Sequence, residues 1–338
     1  MKKYLAAVVI VVFAFFAFQS FAQSSDSGSL FSFRGVLYGI LKEAEDIVAA
    51  VRNPFSGNET PAAEPAQSEN SFSFAIIGDT QRFSAGNPNG NFQKAVKYIS
   101  AANPALVFSV GDLVSSCDDG SKCSKEYSDW KKIVGALLPK TYAMQGNHDR
   151  TGDDKTDKIW RDSFAFPTNG PADFSEQVYS FDYKNSHFVV LDSDKPKEHL
   201  VDSEERGWLE KDLAADKKEN TFVFFHEPAY PVGSKISESL DKEPSERDAL
   251  WQILEKHNVT AVFNGHEHIV SRRKVDNLYQ FVFASTDSFN HDLPKPGVAE
   301  YANQGQGRFG IVKVNGKEIT VETRDPNNAI LNSFTFSK

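Results

Sequence analysis

An α/β fold over residues 71–338 is predicted by three features of the sequence. Short apolar runs rich in Val, Ile and Phe recur from residue 74 onward, stretches with helical spacing separate several of them, and the runs end in Asp, Asn or His.

Taken in order, the predicted strands are FAIIGD, ALVFSVGD, TYAMQGNHD, HFVVLDS, TFVFFHEP, TAVFNGHEH and YQFVFAS. Each is short, β-branched or aromatic, and closed by polar residues, as a buried strand requires. The predicted helices are 91–101, 125–138, 203–215 and 245–257. In open α/β sheets, ligands gather beyond the carboxyl ends of the strands. There the sequence places Asp79 and Gln81, then Asp112, then Asn147, His148 and Asp149, then His226, and finally His266 and His268.

One Asp after a strand is ordinary loop chemistry, and one His beside a strand is ordinary core chemistry. Successive strand ends reading GD, GD, GNHD and GHEH exceed what loop capping needs, and glycine brings the following side chain close to a shared point. As ligands, two carboxylates, two amide oxygens and three imidazoles are too many for one metal ion and the right inventory for two, with Asp112 able to bridge.

These motifs, with His226 in FFHEPAYP, resemble in order and spacing the calcineurin-like metallophosphoesterases. The stretches YSFDYKNSHFVVLDS, ERGWLEKDLA and GRFGIVKVNGKEITVETRD resemble the purple acid phosphatase-like branch, so the likeness spans residues 72–336. It implies two facing mixed β-sheets flanked by helices, an α/β/β/α sandwich with a dinuclear centre at its edge. It implies one metal held by Asp79, Gln81, Asp112 and His268, and another by Asp112, Asn147, His226 and His266. It also implies hydrolysis of a small phosphate mono- or diester by a metal-bridging hydroxide, with His148 assisting the leaving oxygen and Asp149 either orienting its ring or bracing the loop. The alternative is an inactive metal-binding member serving as a binding or sensing module.

Two departures from the family pattern matter. Gln81 stands where most members have His, and a neutral amide oxygen favours Mn, Fe or Mg, with Zn still possible. Ser115 stands where the purple enzymes have a tyrosine ligand, so no purple iron chromophore is expected.

Lys and Arg number 37 against 46 Asp and Glu, and this net charge of -9 argues against broad nucleic-acid binding. Residues 1–22 combine Lys2 and Lys3, an apolar run and small residues before Ala22, predicting a cleaved export signal, with an uncleaved anchor as the alternative. Export would be periplasmic or secretory. Residues 23–70 read as an amphipathic helix at 30–52, which could touch a membrane surface, followed by a Pro/Ala/Glu-rich linker, so the folded domain is expected at 71–338. Oligomeric state has no signal. Cys117 and Cys123 lie in a Ser/Asp/Gly-rich segment and are expected to form a disulfide if the chain is exported.

Among the remaining candidates, His291, Asn290 and Arg150 read as loop residues able to reach the site, and His187 as core or a neighbour of the ligands. His199 and His257 read as surface residues, and Arg272, Arg273 and Lys274 as a solvated strand edge.

Overall fold

The computed structural model describes residues 70–150 and 154–338. The expected export signal and, up to Asn70, the expected helix and linker lie outside the described residues.

From the first strand the chain runs β1 (Ser71–Ile77), α1 (Asn91–Ala102), β2 (Leu106–Ser109), α2 (Gly120–Val134), β3 (Thr141–Ala143) and α3 (Asp154–Ser163). The hairpin of β4 (Tyr179–Tyr183) and β5 (Ser186–Val190) leads into α4 (Ser203–Ala215), β6 (Asn220–Phe224), α5 (Pro244–Lys256) and β7 (Ala261–Asn264). Then come β8 (Val270–Val275), β9 (Leu278–Phe283), β10 (Tyr301–Asn303), β11 (Phe309–Asn315), β12 (Glu318–Arg324) and β13 (Ile330–Ser337).

Two mixed sheets result. One has the order β13-β12-β11-β1-β2-β3, the other β10-β8-β9-β7-β6-β5-β4. Strands β1 to β3 are parallel to one another, as are β5, β6, β7 and β9. Alternation along each strand decides what lies between the layers. Phe74, Phe108, Phe222, Phe224 and Phe263 face inward and pack sheet on sheet. Ala75, Ile77 and Val107 face outward onto Ile99, Trp130 and Trp160 of α1 to α3, while Val223 and Val262 face Leu209, Leu250 and Trp251 of α4 and α5. Burial on both faces explains why these strands read as nearly continuous apolar runs. The architecture is the helix-flanked double sheet that the family resemblance implied.

The helices depart from expectation where capping decides. Helix α2 starts at Gly120 because the Asp119 side chain accepts from the backbone N–H of Ser121 and Lys122, and it gives way at Gly135 to a 3₁₀ turn. Cys117 and Cys123 are disulfide-bonded and both buried. The run Arg272–Arg273–Lys274 is corrected in part. β10 pairs alongside β8 as far as Arg272, which is paired with Glu300 at 3.0 Å, so Arg272 is not on a solvated edge, whereas Lys274 is exposed beyond the end of β10 as expected.

Of the two readings of His187 the core one holds: it is buried in β5, away from the candidate ligands. It bridges Asp182 at 2.7 Å and Asp212 at 2.8 Å, tying the β4–β5 hairpin to α4. Burial pushes its pKa down, but the two carboxylates outweigh burial and hold it up at about 9. A folded-state pKa above the unfolded value stabilises fully below the unfolded pKa and fades as pH climbs through about 9. His187→Gln is therefore expected to lower stability by about 2 kcal/mol at pH 6. The deficit should shrink above pH 9, as read from urea midpoints at both pH values.

Candidate metal centre

The carboxyl ends of β1, β2, β3, β6 and β7 converge at one edge of the sandwich, and the seven expected ligand residues come together there. Asp79, Asp112 and His268 each offer a ligand atom, all within 4.8 Å of one another. His268 Nε2 lies 3.4 Å from Asp79 Oδ1 and 3.1 Å from Gln81 Nε2, and Gln81 Nε2 lies 3.1 Å from Asp112 Oδ2. Asp112 Oδ1 is 3.4 Å from His226 Nε2. Asn147 Oδ1 completes the second half, 3.2 Å from His226 Nε2 and 3.1 Å from His266 Nδ1. Asp112 is thus the side chain common to both halves.

The backbone holds this arrangement in a rarely populated conformation. Asp79, Asp112, His266 and His268 have φ of 53°, 53°, 70° and 53°, the left-handed region that non-glycine residues enter at a cost. Tertiary bonds hold them there: Asp79 N–H donates to Gly111 O, His266 N–H to the Asp79 carboxylate, and His148 N–H to Asp112 Oδ1. The turn after β1 is therefore made at Asp79. Gly78 serves a different need, because a Cβ there would meet Phe283 O at 2.3 Å.

Tautomers follow from the carbonyls behind the rings. Val110 O accepts from His226 Nδ1 at 2.8 Å and Glu238 O accepts from His266 Nε2 at 2.7 Å, so each ring turns its other nitrogen, a lone pair, toward Asn147 Oδ1. Three acceptors then face one another with no proton between them, the condition a cation relieves. Burial pushes His226 and His266 down, His266 strongly, and burial reinforced by His291 takes His268 to about 3, so all three imidazoles stay neutral. Burial and then Asp112 push Asp79 well up. Buried carboxylates with no Lys or Arg ion-paired to them among the described residues, beside neutral imidazoles, suit a metal ion. Gln81 Oε1 and His268 Nδ1 are buried without partners, and a Cβ at Gly146 would fall 2.4 Å from Asp112 Oδ1, so no larger residue fits against this cradle. The residues present fit the metal pair.

His148 is the most open member, with its side chain 39% exposed. Its Nδ1 bonds Ser115 O at 2.7 Å, leaving Nε2 to the cleft, 4.0 Å from Asp112 Oδ2. Asp149 does not orient that ring; of its two expected roles it takes the other, that of a loop brace. It accepts from Leu113 N–H, Gly146 N–H and Tyr127 O–H, lacing the loop after β2 to the loop after β3. Burial, then Asp112, raises Asp149 to about 7.

Of the loop candidates, His291 stacks on His268 with centroids 4.2 Å apart, whereas Arg150 is locked to Asp192 and Asp157 and Asn290 accepts from Gln306. His199 is mostly buried against Glu227 at 2.7 Å and is not a surface residue. Lys235 had no sequence signal; its charge bears on Asp79, His226, His266 and His268 from a loop tied to the GHEH turn by Glu267, which accepts from Val232 and Gly233 N–H.

Fold and site together define a two-sheet α/β sandwich with a carboxylate and imidazole cluster at its strand ends. A family model described as calcineurin-like phosphoesterase matches residues 72–270, and the chain belongs to that family. Purple acid phosphatase 13 of Arabidopsis thaliana is 27% identical over 222 residues, covering 64% of this chain and 37% of that protein. Tartrate-resistant acid phosphatase type 5 of Sus scrofa is 24% identical over 206 residues, covering 53% and 59%. The chain thus spans between about a third and three fifths of the length of these relatives. Purple acid phosphatase PPD1 from yellow lupin (Lupinus luteus) seeds superposes with a TM-score of 0.66 at 16% identity, covering 79% of this chain and 54% of that one.

Proposed function

We propose that this chain is an exported hydrolase of small phosphate mono- or diesters, dependent on two metal ions. Asp79, Gln81, Asp112 and His268 would hold one ion, and Asp112, Asn147, His226 and His266 the other, with Mn, Fe or Mg favoured over Zn. A half-turn of the Gln81 amide would exchange its nitrogen and oxygen and set Oε1 among the donors. The observation that carries the reading is the pair of imidazole lone pairs, fixed by Val110 and Glu238 carbonyls, aimed at an amide oxygen beside a shared carboxylate.

When bound, such a pair of cations acidifies water and offsets charge on the phosphoryl oxygens. The protein's own contribution is placement. Because Nδ1 of His148 is committed to Ser115 O, the proton it can give is on Nε2, directed into the cleft where the leaving oxygen would depart. Asp149 keeps the two loops in register. The mature domain is taken to be 71–338, behind a leader at 1–22; the Cys117–Cys123 bond supports an oxidising compartment.

Metal analysis of purified protein, with hydrolysis of p-nitrophenyl phosphate and bis(p-nitrophenyl) phosphate after reconstitution with Mn, Fe, Mg or Zn, tests the reading. His148→Ala is expected to cut kcat by about 10² to 10⁴ with metal content unchanged. A wild-type protein holding two metals yet inert to both esters would be the binding module instead.

A further inference from the structure

Beside the candidate metal centre, the wall of the cleft carries an arginine without an acid. Arg82 follows Gln81 directly, and its backbone N–H donates to Asp287 O at 3.0 Å. Its guanidinium carbon sits 3.5 Å from the ring centroid of Phe289, a side chain left 60% exposed. Both line a groove of about 580 Å³ whose inner end is formed by Gln81, His148 and His268. That volume matches small-molecule sites in general.

The other charged groups of this groove are already matched. Lys125 pairs with Asp129 at 2.6 Å, and Glu126 accepts from Ser115 N–H and Oγ–H at 2.7 and 2.9 Å. Arg82 makes no ion pair among the described residues; its charge is felt by Asp287, but that carboxylate is engaged in accepting from Phe92 N–H. A ring face fixes the plane of a guanidinium while leaving its N–H edge free, and that edge is shaped for a carboxylate or a phosphate.

We propose that Arg82, held by Phe289, positions the substrate by binding a second anionic group on the leaving portion of the ester. The preferred substrates are then phosphoesters that carry a carboxylate or another phosphate beyond the scissile bond. The inference rests on the phosphoesterase reading of the same site. Phe289 sets the guanidinium plane; the acids of the groove wall, being paired, do not compete for it.

The test compares 3- and 4-carboxyphenyl phosphate with their neutral carbamoyl counterparts, which differ in charge and little in shape. Metal-loaded wild-type protein is expected to favour at least one carboxylate over its amide by about tenfold in kcat/KM. Arg82→Gln should collapse that ratio toward one, Arg82→Lys should restore part of it, and Phe289→Ala should weaken it. Absence of a preference in the wild type, or an equal loss on both members of each pair in Arg82→Gln, overturns the proposal. If no ester is hydrolysed, the phosphoesterase reading fails by itself, and calorimetric binding of the same esters decides about Arg82. Tighter binding of a carboxylate ester that Arg82→Gln removes supports the anion site, and equal binding refutes it.

Discussion

Asp112→Asn is expected to reduce hydrolysis of either generic ester by at least about 10³-fold, more than 4 kcal/mol of barrier at about 1.4 kcal/mol per tenfold. The Asp112 carboxylate faces side-chain donor groups of both halves of the cluster, Gln81 at 3.1 Å and His226 at 3.4 Å. An amide has nearly the same shape and can still accept from His148 N–H, so the loop after β3 should keep its place. What disappears is charge. The cations would lose their shared anion, while Asp79, raised by burial and then by Asp112, would be relieved of a like-charged neighbour. Without metal the variant should therefore melt no lower than the wild type. Metal at about a hundred times its dissociation constant adds roughly 2.7 kcal/mol to a protein that binds it only when folded. That gain, visible as a rise in melting temperature between EDTA and Mn, is expected in the wild type and largely absent in Asp112→Asn. A variant that retains both the thermal gain and turnover would show that Asp112 is not shared between two ions.

The cluster was legible because its residues sit in short motifs at strand ends, where apolar runs stop and glycine follows. Composition and alternation gave the α/β class for the same reason: strands buried on both faces read as continuous apolar runs. Other parts are set by tertiary bonds that no local pattern announces. The left-handed backbone at Asp79, Asp112, His266 and His268 is glycine's conformation taken by residues that are not glycine, and it persists through contacts made across the sandwich. Helix α3 is mostly polar in sequence, DKTDKIWRDS, and earns its place through Trp160, which packs beneath α2. The partner of His148 proved to be a carbonyl, that of Ser115, and carbonyls have no residue identity to read. Arg82 lines the cleft, and Lys235 bears on the cluster by its charge, from loops whose sequence resembles any solvated loop.

The largest expected loss of stability follows from Phe74→Ala. Phe74 is fully buried on β1, and its ring meets those of Phe108, Phe188, Phe222, Phe224 and Phe263 at centroid distances of 5.2 to 6.2 Å, mostly edge-on. Truncation removes the one ring that meets β2 within its own sheet and β5, β6 and β7 in the facing sheet. The neighbours cannot close the gap easily, since Phe108 and Phe224 are already stacked at 4.0 Å and the strands behind them are tied into ladders. A cost of about 3 to 5 kcal/mol is expected, a large share of the roughly 5 to 15 kcal/mol that holds a typical domain folded. Phe74→Leu, which keeps much of the volume, should cost less than half as much. The consequence extends to the site. Asp79 lies at the end of β1, while His226 and His266 follow β6 and β7, so the ring that spaces the two sheets also spaces the donors. Metal affinity in Phe74→Ala should fall although no donor is changed, and urea midpoints with and without Mn measure both effects. An alanine variant as stable as the wild type would show that the aromatic layer repacks freely, and the spacing of the donors would then have to come from the loops alone.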